Sequence, residues 1–268
     1  MFNQLALNTN TYHGFSLEEA LKGAHDTGFK QVEIAAVRDH TAHVTTDFTE
    51  AEFYEVLGLL KKYDLTCVGV SAHSNVMTDE GIRQLVENID LAEVFNCQYV
   101  VTATGDSHGD TDVIDDINSL VKNLQPVVEK CERLGKTLVI ETHGNNFATG
   151  ESLMKLVHEF NNRVKINYDT ANVIFYGHQE PYEDLEKSIN HVEFIHLKDK
   201  LGEHDTFHFP AIGDGYLDYT RLFNILKQGN YTGPISVEVE FTPEGPQDLE
   251  EVNQAVKRSY DFLRQKLI

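Results

Sequence analysis

The sequence predicts an α/β fold of the (β/α)8 TIM barrel class, as one domain spanning residues 1–268. Three observations predict it. Short apolar or β-branched runs recur eight times, a segment of helical periodicity follows each, and four consecutive runs in the second half end in a carboxylate or an imidazole. Strict alternation implies a parallel sheet with helices packed outside it, and a count of eight favours closure into a barrel. A doubly wound open sheet would want a glycine-rich turn after its first strand, and NTNTYHGF contains no G-x-G-x-x-G.

The expected strands are QLALN (4–8), QVEIAA (31–36), LTCVGVSA (65–72), QYVVTAT (98–104), KTLVIET (136–142), VKINYDT (164–170), VEFIHLK (192–198) and PISVEVE (234–240). Most are too short for helices and too uniformly apolar for a half-exposed sheet, as buried parallel strands are. The first helix, within SLEEALKGAHDTG, opens on a capping box, Ser16 with Glu19, and closes on Gly28. Helices are then expected at 49–63, 79–95, 112–135, 151–162, 181–191, 219–230 and 248–268, with Pro126 kinking or splitting the fourth.

A chain of 268 residues buries a large core without disulfides or a structural metal. With 22 basic against 43 acidic side chains, its formal charge of -21 repels phosphate backbones and anionic lipid, so neither nucleic acid nor membrane is an expected partner. Cys67, Cys97 and Cys131 lack CxxC spacing and sit in apolar contexts, which reads as buried free thiols in a reducing compartment. MFNQLALNTNTYHG has no basic n-region or long apolar run, and no stretch is long enough to span a bilayer, so a cytoplasmic location is expected.

In such a barrel, function collects at the C-terminal ends of the strands. Strand five ends in Ile140-Glu141-Thr142-His143, strand six in Tyr168-Asp169-Thr170-Ala171-Asn172, strand seven in Ile195-His196-Leu197-Lys198-Asp199 and strand eight in Val237-Glu238-Val239-Glu240. Glu141, Asp169 and His196 follow one another at intervals of one βα unit. Glu238 comes later because of a long loop at 200–217. Adjacent parallel strands lie about 4.8 Å apart, so these side chains converge on one small volume. Three carboxylates so close repel one another, and a divalent cation resolves the conflict. Three oxygen donors and one imidazole suit Mn2+, with Mg2+, Co2+, Fe2+ or Zn2+ as alternatives. Singly, a strand-end carboxylate is more often a helix cap and a lone histidine more often a core residue; the quartet is harder to explain that way. Glu240 competes with Glu238 for the ligand role, since both face the same way in one strand.

At LVIETHGN, INYDTANVIFYG, FIHLKDK, AIGDGYLDY and GPISVEVE the sequence resembles the xylose isomerase-like TIM-barrel superfamily, in its sugar isomerase/epimerase branch. That branch includes tagatose/allulose 3-epimerases, hydroxypyruvate isomerase and inosose dehydratase. The resemblance spans essentially the whole chain and implies Glu141, Asp169, His196 and Glu238 as ligands of one metal ion, choosing Glu238 over Glu240. It further implies Glu141 and Glu238 as the catalytic pair, one abstracting a proton beside a metal-bound carbonyl and the other returning it through an enediolate. The implied function is a metal-dependent isomerase or epimerase of a sugar, a keto-sugar or polyol. The alternative is a dehydratase or lyase on a keto-inositol or keto-sugar. An abasic-site endonuclease is the remote relative. It needs more histidines than Asn172, Phe207-His208-Phe209 and Ala103-Thr104-Gly105 provide. Members often pair subunits, so a homo-oligomer is an implied partner state.

Asn172 stands where many epimerases keep a histidine near the substrate, and is expected to contact substrate. His73, in SAHSN at the third strand end, is expected to contact substrate or move a proton, and Glu33 to play a structural part inside the barrel. Lys198 faces the same way as His196 and is expected to reach a substrate oxygen or Glu141, while His143, Asn145 and Asn146 orient Glu141. The loop LGEHDTFHFPAIGDGY reads as a lid or specificity element, with His204 and His208 as substrate contacts and Gly213 and Gly215 allowing a tight return. His13, His40 and His43 lie in the first two βα loops and are expected to line the same mouth. With no phosphate cradle in the sequence, an unphosphorylated substrate is favoured.

Overall fold

In the computed structural model, residues 4–38, 40–104 and 116–267 are described. Strands β1 (Leu5–Asn8), β2 (Gln31–Ala35), β3 (Thr66–Ser71), β4 (Tyr99–Thr102), β5 (Thr137–Glu141), β6 (Lys165–Asp169), β7 (Val192–Leu197) and β8 (Ile235–Val237) pair in parallel in chain order. β1 pairs with both β2 and β8, which closes the barrel. Helices α1 (Leu17–Thr27), α2 (Glu50–Lys62), α3 (Asp79–Val94), α4 (Ile117–Arg133) and α5 (Gly150–Glu159) alternate with the strands, followed by α6 (Asn172–Phe175), α7 (Pro181–Ser188), α8 (Tyr219–Gln228) and α9 (Leu249–Leu267). No helix among the described residues is long and apolar enough to cross a membrane.

Local chemistry accounts for the helix ends. The capping box of Ser16 and Glu19 forms, and Gly28 ends α1 at φ 117°, where a side chain would be strained. α4 runs through Pro126 unbroken, contrary to the expected split. The ring removes one backbone hydrogen bond, and burial of Leu124, Val127 and Val128 on either side holds the helix against the sheet. The expected start of that helix at Asp112 and the strand-end residue Gly105 lie outside the described residues. α6 was not foreseen as a helix; it is a single turn within INYDTANVIFYG.

Most of the core lies between the strands and the helix ring, but a small cluster of Val101, Val139 and Phe194 plugs the barrel's interior. Side chains two residues apart on a strand share a face, so the next layer up from Val139 and Phe194 is Glu141 and His196. The polar mouth therefore rests on an apolar floor.

Register brings the strand ends together with a stagger. Asp169 pairs directly with His196, Glu141 lies opposite Asn167, and His196 lies opposite Ser236. Glu141 and Asp169 are thus offset by two residues, as are His196 and Glu238. Barrel closure requires such a shear, and an offset of two keeps every one of these side chains on the inner face.

Candidate metal centre and active site

Glu141, Asp169 and His196 are buried, and one ligand atom from each lies within 4.8 Å of the others. His196 presents Nδ1 to this space. Glu141 Oε1 is 3.3 Å from that nitrogen and Glu238 Oε2 is 3.5 Å from it. The other ring nitrogen, Nε2, donates to Glu33 at 2.9 Å, which fixes the ring and leaves Nδ1 as the atom that meets the mouth.

Each carboxylate has its own support. Asp169 Oδ1 accepts from the backbone N–H groups of Ala171 and Asn172 at 2.9 and 2.8 Å, at the start of the α6 turn. Glu141 Oε1 accepts from the Asn172 amide at 2.9 Å, and its Oε2 from His73 Nε2 at 2.7 Å, with Ser71 Oγ 3.0 Å from the far ring nitrogen. Glu238 Oε1 accepts from Asn10 at 2.8 Å and Asn8 at 3.2 Å. Lys198 Nζ is 3.2 Å from Asp169 Oδ2, 3.1 Å from Glu238 Oε2 and 2.6 Å from Glu240 Oε2.

The protonation pattern follows from this crowding. Burial raises the Glu141 carboxyl, but the His196 and His73 imidazoles beside it outweigh burial and hold it well below the usual carboxylate range. Glu238 is likewise lowered, burial being overcome by Lys198 and His196. Asp169 is pushed up to about 7 by burial and by the Glu141 and Glu238 charges, against the pull of Lys198 and His196. Burial works against the charged His196 ring, yet Glu33, Glu141 and Glu238 together lift it well above its ordinary value.

The donor set fits a divalent cation. Asp169 Oδ2 and His196 Nδ1 are buried and lack a hydrogen-bond partner, though both have charged neighbours at 3.2 Å or more. Five carboxylates, Glu33, Glu141, Asp169, Glu238 and Glu240, crowd around one lysine and the imidazoles, which leaves negative charge for a cation to offset.

Residues 21–266 match the Xylose isomerase-like TIM barrel family. The chain belongs to that family. An inosose dehydratase of Clostridium tetani is 30% identical over 160 residues, 52% of this chain and 52% of that protein. Another, of Geobacillus kaustophilus, is 31% identical over 144 residues, 47% and 46% of the two chains. The chain spans about half the length of the curated relatives it matches. Among solved structures, D-allulose 3-epimerase from Methylomonas sp. superposes with a TM-score of 0.76 at 17% identity, covering 98% of both chains. A Xylose isomerase-like TIM barrel protein from Mycobacterium smegmatis, solved in complex with magnesium, gives 0.76 at 15%, covering 99% of this chain and 98% of that one. At such identities the likeness speaks for the barrel.

Within this Xylose isomerase-like barrel the mouth cavity is lined by Glu141, His196, Glu238, His73, Lys198 and His143 among others. Asn172 stands behind Glu141 as its hydrogen-bond donor. Lys198 contacts Asp169, Glu238 and Glu240 and not the expected Glu141, because the stagger of β7 against β8 lifts it beside Glu240. Asn145 and Asn146 are exposed on the loop after β5, and the amide that orients Glu141 comes from Asn172. His143 packs its ring 4.5 Å from that of Tyr176. His40 reaches the mouth, whereas His43 turns away into contacts with Thr9 Oγ1 and the Phe15 carbonyl. His204 is exposed, its ring 6.2 Å from that of His178, and His208 is half-buried. In the same stretch Phe207 and Phe209 turn inward, and backbone alternation sends the residue between them the other way.

Sequence reasoning missed Asn8 and Asn10, the two amides on Glu238, and the Lys198–Glu240 pair. Asn10 sits in a short 3-10 turn at Thr9–Tyr12, beyond the strand, where alternation no longer tells which way a side chain points. Lys198 and Glu240 were legible in principle, since each follows a proposed ligand by two residues.

Proposed function

We propose that this chain is a divalent-metal-dependent isomerase or epimerase of a neutral keto-sugar or keto-polyol, transferring a proton at the carbon beside the carbonyl. The observation that carries the proposal is the pair of buried glutamates, Glu141 and Glu238, each within 3.5 Å of His196 Nδ1, oriented by the amides of Asn172 and of Asn8 and Asn10 respectively, and each held ionised by nearby cations. Glu141, Asp169, His196 and Glu238 would hold the ion. Bound there, it supplies Lewis-acid polarisation of the substrate's carbonyl and neighbouring hydroxyl, with Mn2+ best suited to these donors.

The chain's own groups do the rest. One ionised glutamate takes the proton, and the other, first protonated from His73 or from solvent, delivers a proton to the opposite face of that carbon, which inverts it, or to the neighbouring carbon, which moves the carbonyl. His73, 2.7 Å from Glu141 Oε2, passes that proton on or returns it. The Lys198 ammonium, deep in the mouth, offsets negative charge that develops on the substrate oxygen. Asn172, Asn8 and Asn10 keep the two carboxylates aimed, so no reorganisation is needed as charge moves.

A second reading has its own support in the inosose dehydratase relatives. The same proton abstraction then precedes loss of a β-hydroxyl, and His73 protonates the leaving oxygen. Incubation of the Mn2+-loaded protein in D2O with a panel of open-chain ketoses, ketopyranoses and keto-inositols tests both readings. Deuterium in a recovered isomer supports epimerisation, and an unsaturated product supports elimination. Glu141→Gln and Glu238→Gln should fold normally and exchange about 10²–10⁴-fold more slowly. Full exchange in either variant refutes the glutamate pair.

A further inference from the structure

Two of the four proposed ligands have one carboxylate oxygen each left for an ion. Asp169 Oδ1 already accepts from the backbone N–H groups of Ala171 and Asn172, and Glu238 Oε1 from the side-chain amides of Asn8 and Asn10. Two donors fill the lone-pair directions of such an oxygen. Asp169 Oδ2 and Glu238 Oε2 remain, and the Lys198 ammonium stands 3.2 Å from the first and 3.1 Å from the second. We propose that Lys198 is a built-in competitor for the metal ion: uptake of a divalent cation displaces its ammonium from these two oxygens, and Glu240 keeps hold of it. The inference rests on the metal centre of the proposed function and adds what sets its affinity.

The lysine's contacts divide into two kinds. Its directed hydrogen bond goes to Glu240 Oε2 at 2.6 Å, and the Phe209 ring, centred 5.4 Å from Nζ, is a cation–π partner on the same cation. Neither residue belongs to the proposed ligands. To Asp169 and Glu238 the ammonium gives charge alone, and Asp169 Oδ2 makes no hydrogen bond. The contacts that an ion would replace are therefore the undirected ones, and the directed one lies elsewhere. The backbone at Lys198 is pinned as well: its N–H donates to Thr170 Oγ1 at 3.0 Å, and its carbonyl accepts from Thr170 Oγ1 at 2.7 Å and Tyr219 Oη at 3.0 Å. Exchange is confined to the end of a flexible four-carbon stem.

Charge gives the arrangement a purpose. Glu141, Asp169 and Glu238 are buried together, and carboxylates so placed repel one another. An ammonium among them lets the chain fold before an ion arrives. The same positive charge, in contact with the oxygens a dication needs, opposes that dication. A group that merely orients a ligand carboxylate acts the other way: its loss weakens metal binding, by about 10–100-fold. Loss of a competitor strengthens binding. The sign of the change separates the two roles.

The test is calorimetric titration of Mn2+ into chelator-treated protein, for wild type, Lys198→Met, Glu240→Gln and the double variant, with circular dichroism to follow folding. Lys198→Met should bind Mn2+ roughly tenfold or more tightly than wild type. Before any ion is added it should melt at a lower temperature, since the carboxylates then crowd with no ammonium among them. Glu240→Gln should bind roughly threefold or more weakly, because the ammonium then stays on the ligand oxygens, and this effect should fall below about twofold in the Lys198→Met background. Unchanged or weaker binding in Lys198→Met overturns the competitor, and an equal Glu240→Gln effect in both backgrounds overturns the hold on the ammonium. Lys198→Gln replaces Lys198→Met if the latter does not fold. If neither folds with or without Mn2+, Glu240→Gln decides: weaker binding supports the proposal, and unchanged or tighter binding overturns it. Turnover is not part of this readout, so failure of the proposed isomerisation shows separately, as no deuterium exchange in protein that binds the ion. Binding by Lys198→Met and none by wild type keeps the competitor and removes the metal from the proposed chemistry; binding by neither overturns both.

Discussion

Replacing Asp199 by alanine should loosen the 200–217 loop beside the barrel mouth, at a cost that follows from four amides. Asp199 is fully buried, and its carboxylate accepts from the backbone N–H groups of Lys200 and Gly213 at 2.8 Å, Gly215 at 3.0 Å and Leu217 at 3.3 Å. Gly215 makes this approach feasible, because a Cβ there would stand 2.1 Å from Asp199 Oδ1. Beside it the Lys200 ammonium donates to the carbonyls of Leu201, Glu203 and Thr206, knotting the other half of the loop. Losing the carboxylate strands the four amides at about 1 kcal/mol each, and relief of the charge's own burial returns about 1 kcal/mol, for a net loss of about 3 kcal/mol. For a chain of this size that corresponds to a fall in Tm of roughly 6–12 °C. Asp199→Asn keeps one acceptor oxygen, hence two of the four bonds, and should lose about half as much. Urea unfolding followed by far-ultraviolet circular dichroism is the suitable assay, since the chain has no tryptophan. A loss below about 1 kcal/mol in Asp199→Ala would refute the reasoning, since the amides would then have other partners.

Other expectations are independent of that loop. Chelation should lower Tm and addition of Mn2+ restore it, by about 2.7 kcal/mol of stability at one hundred times Kd; an unchanged Tm across the titration would sink the metal centre. His43 is kept below its ordinary pKa of 6.5, chiefly by burial and by the nearby His13, with the Phe15 carbonyl partly opposing. A lowered folded pKa means that its contribution is intact above 6.5 and is lost as the pH falls from there through the folded value. His43→Gln should therefore flatten the fall in stability below 6.5, by at most about 1.4 kcal/mol per pH unit; an unchanged slope would contradict this. Burial raises the thiols, Cys131 to about 12 and Cys67 well above its usual range, so native protein should resist thiol reagents at pH 8 and react only after unfolding.

The fold was legible because buried parallel strands have a composition of their own. All eight strands fall within the expected runs, each shorter by one to four residues, and the trimmed residues include those that carry chemistry. Glu238 and Glu240 lie just past the end of β8, where the ladder stops but the alternation of facing persists. That persistence is why both could be placed on the inner face from sequence, and the family resemblance chose between them. Past Asn8 it fails, because the chain turns into a 3-10 helix, and the amides that orient Glu238 were invisible for that reason. Glu33 was read as structural, and its contact with His196 across the barrel joins β2 to β7, a closeness that closure creates and sequence separation hides.

Strand alternation also explains how one short run builds the candidate site from the bottom up. Along β5 and its exit the inward positions are Val139, Glu141 and His143; along β7 they are Phe194, His196 and Lys198. Each series passes from the apolar plug to a proposed metal ligand to a residue facing the open mouth, two residues at a time. The order is physically constrained. A charged layer below the ligands would be sealed in without water, and an apolar layer above them would give a hydroxylated substrate nothing to bind. Glu240 fits the same scheme one step above Glu238, and its partner there is Lys198, one step above His196. Demoting Glu240 as a ligand on the basis of resemblance therefore left its role open. Its place in the upper layer, paired with Lys198 and lining both the mouth cavity and its larger neighbour, is where a substrate hydroxyl would meet it under the proposed function, and Glu240→Gln should change the ranking of substrates before it changes the rate of proton exchange.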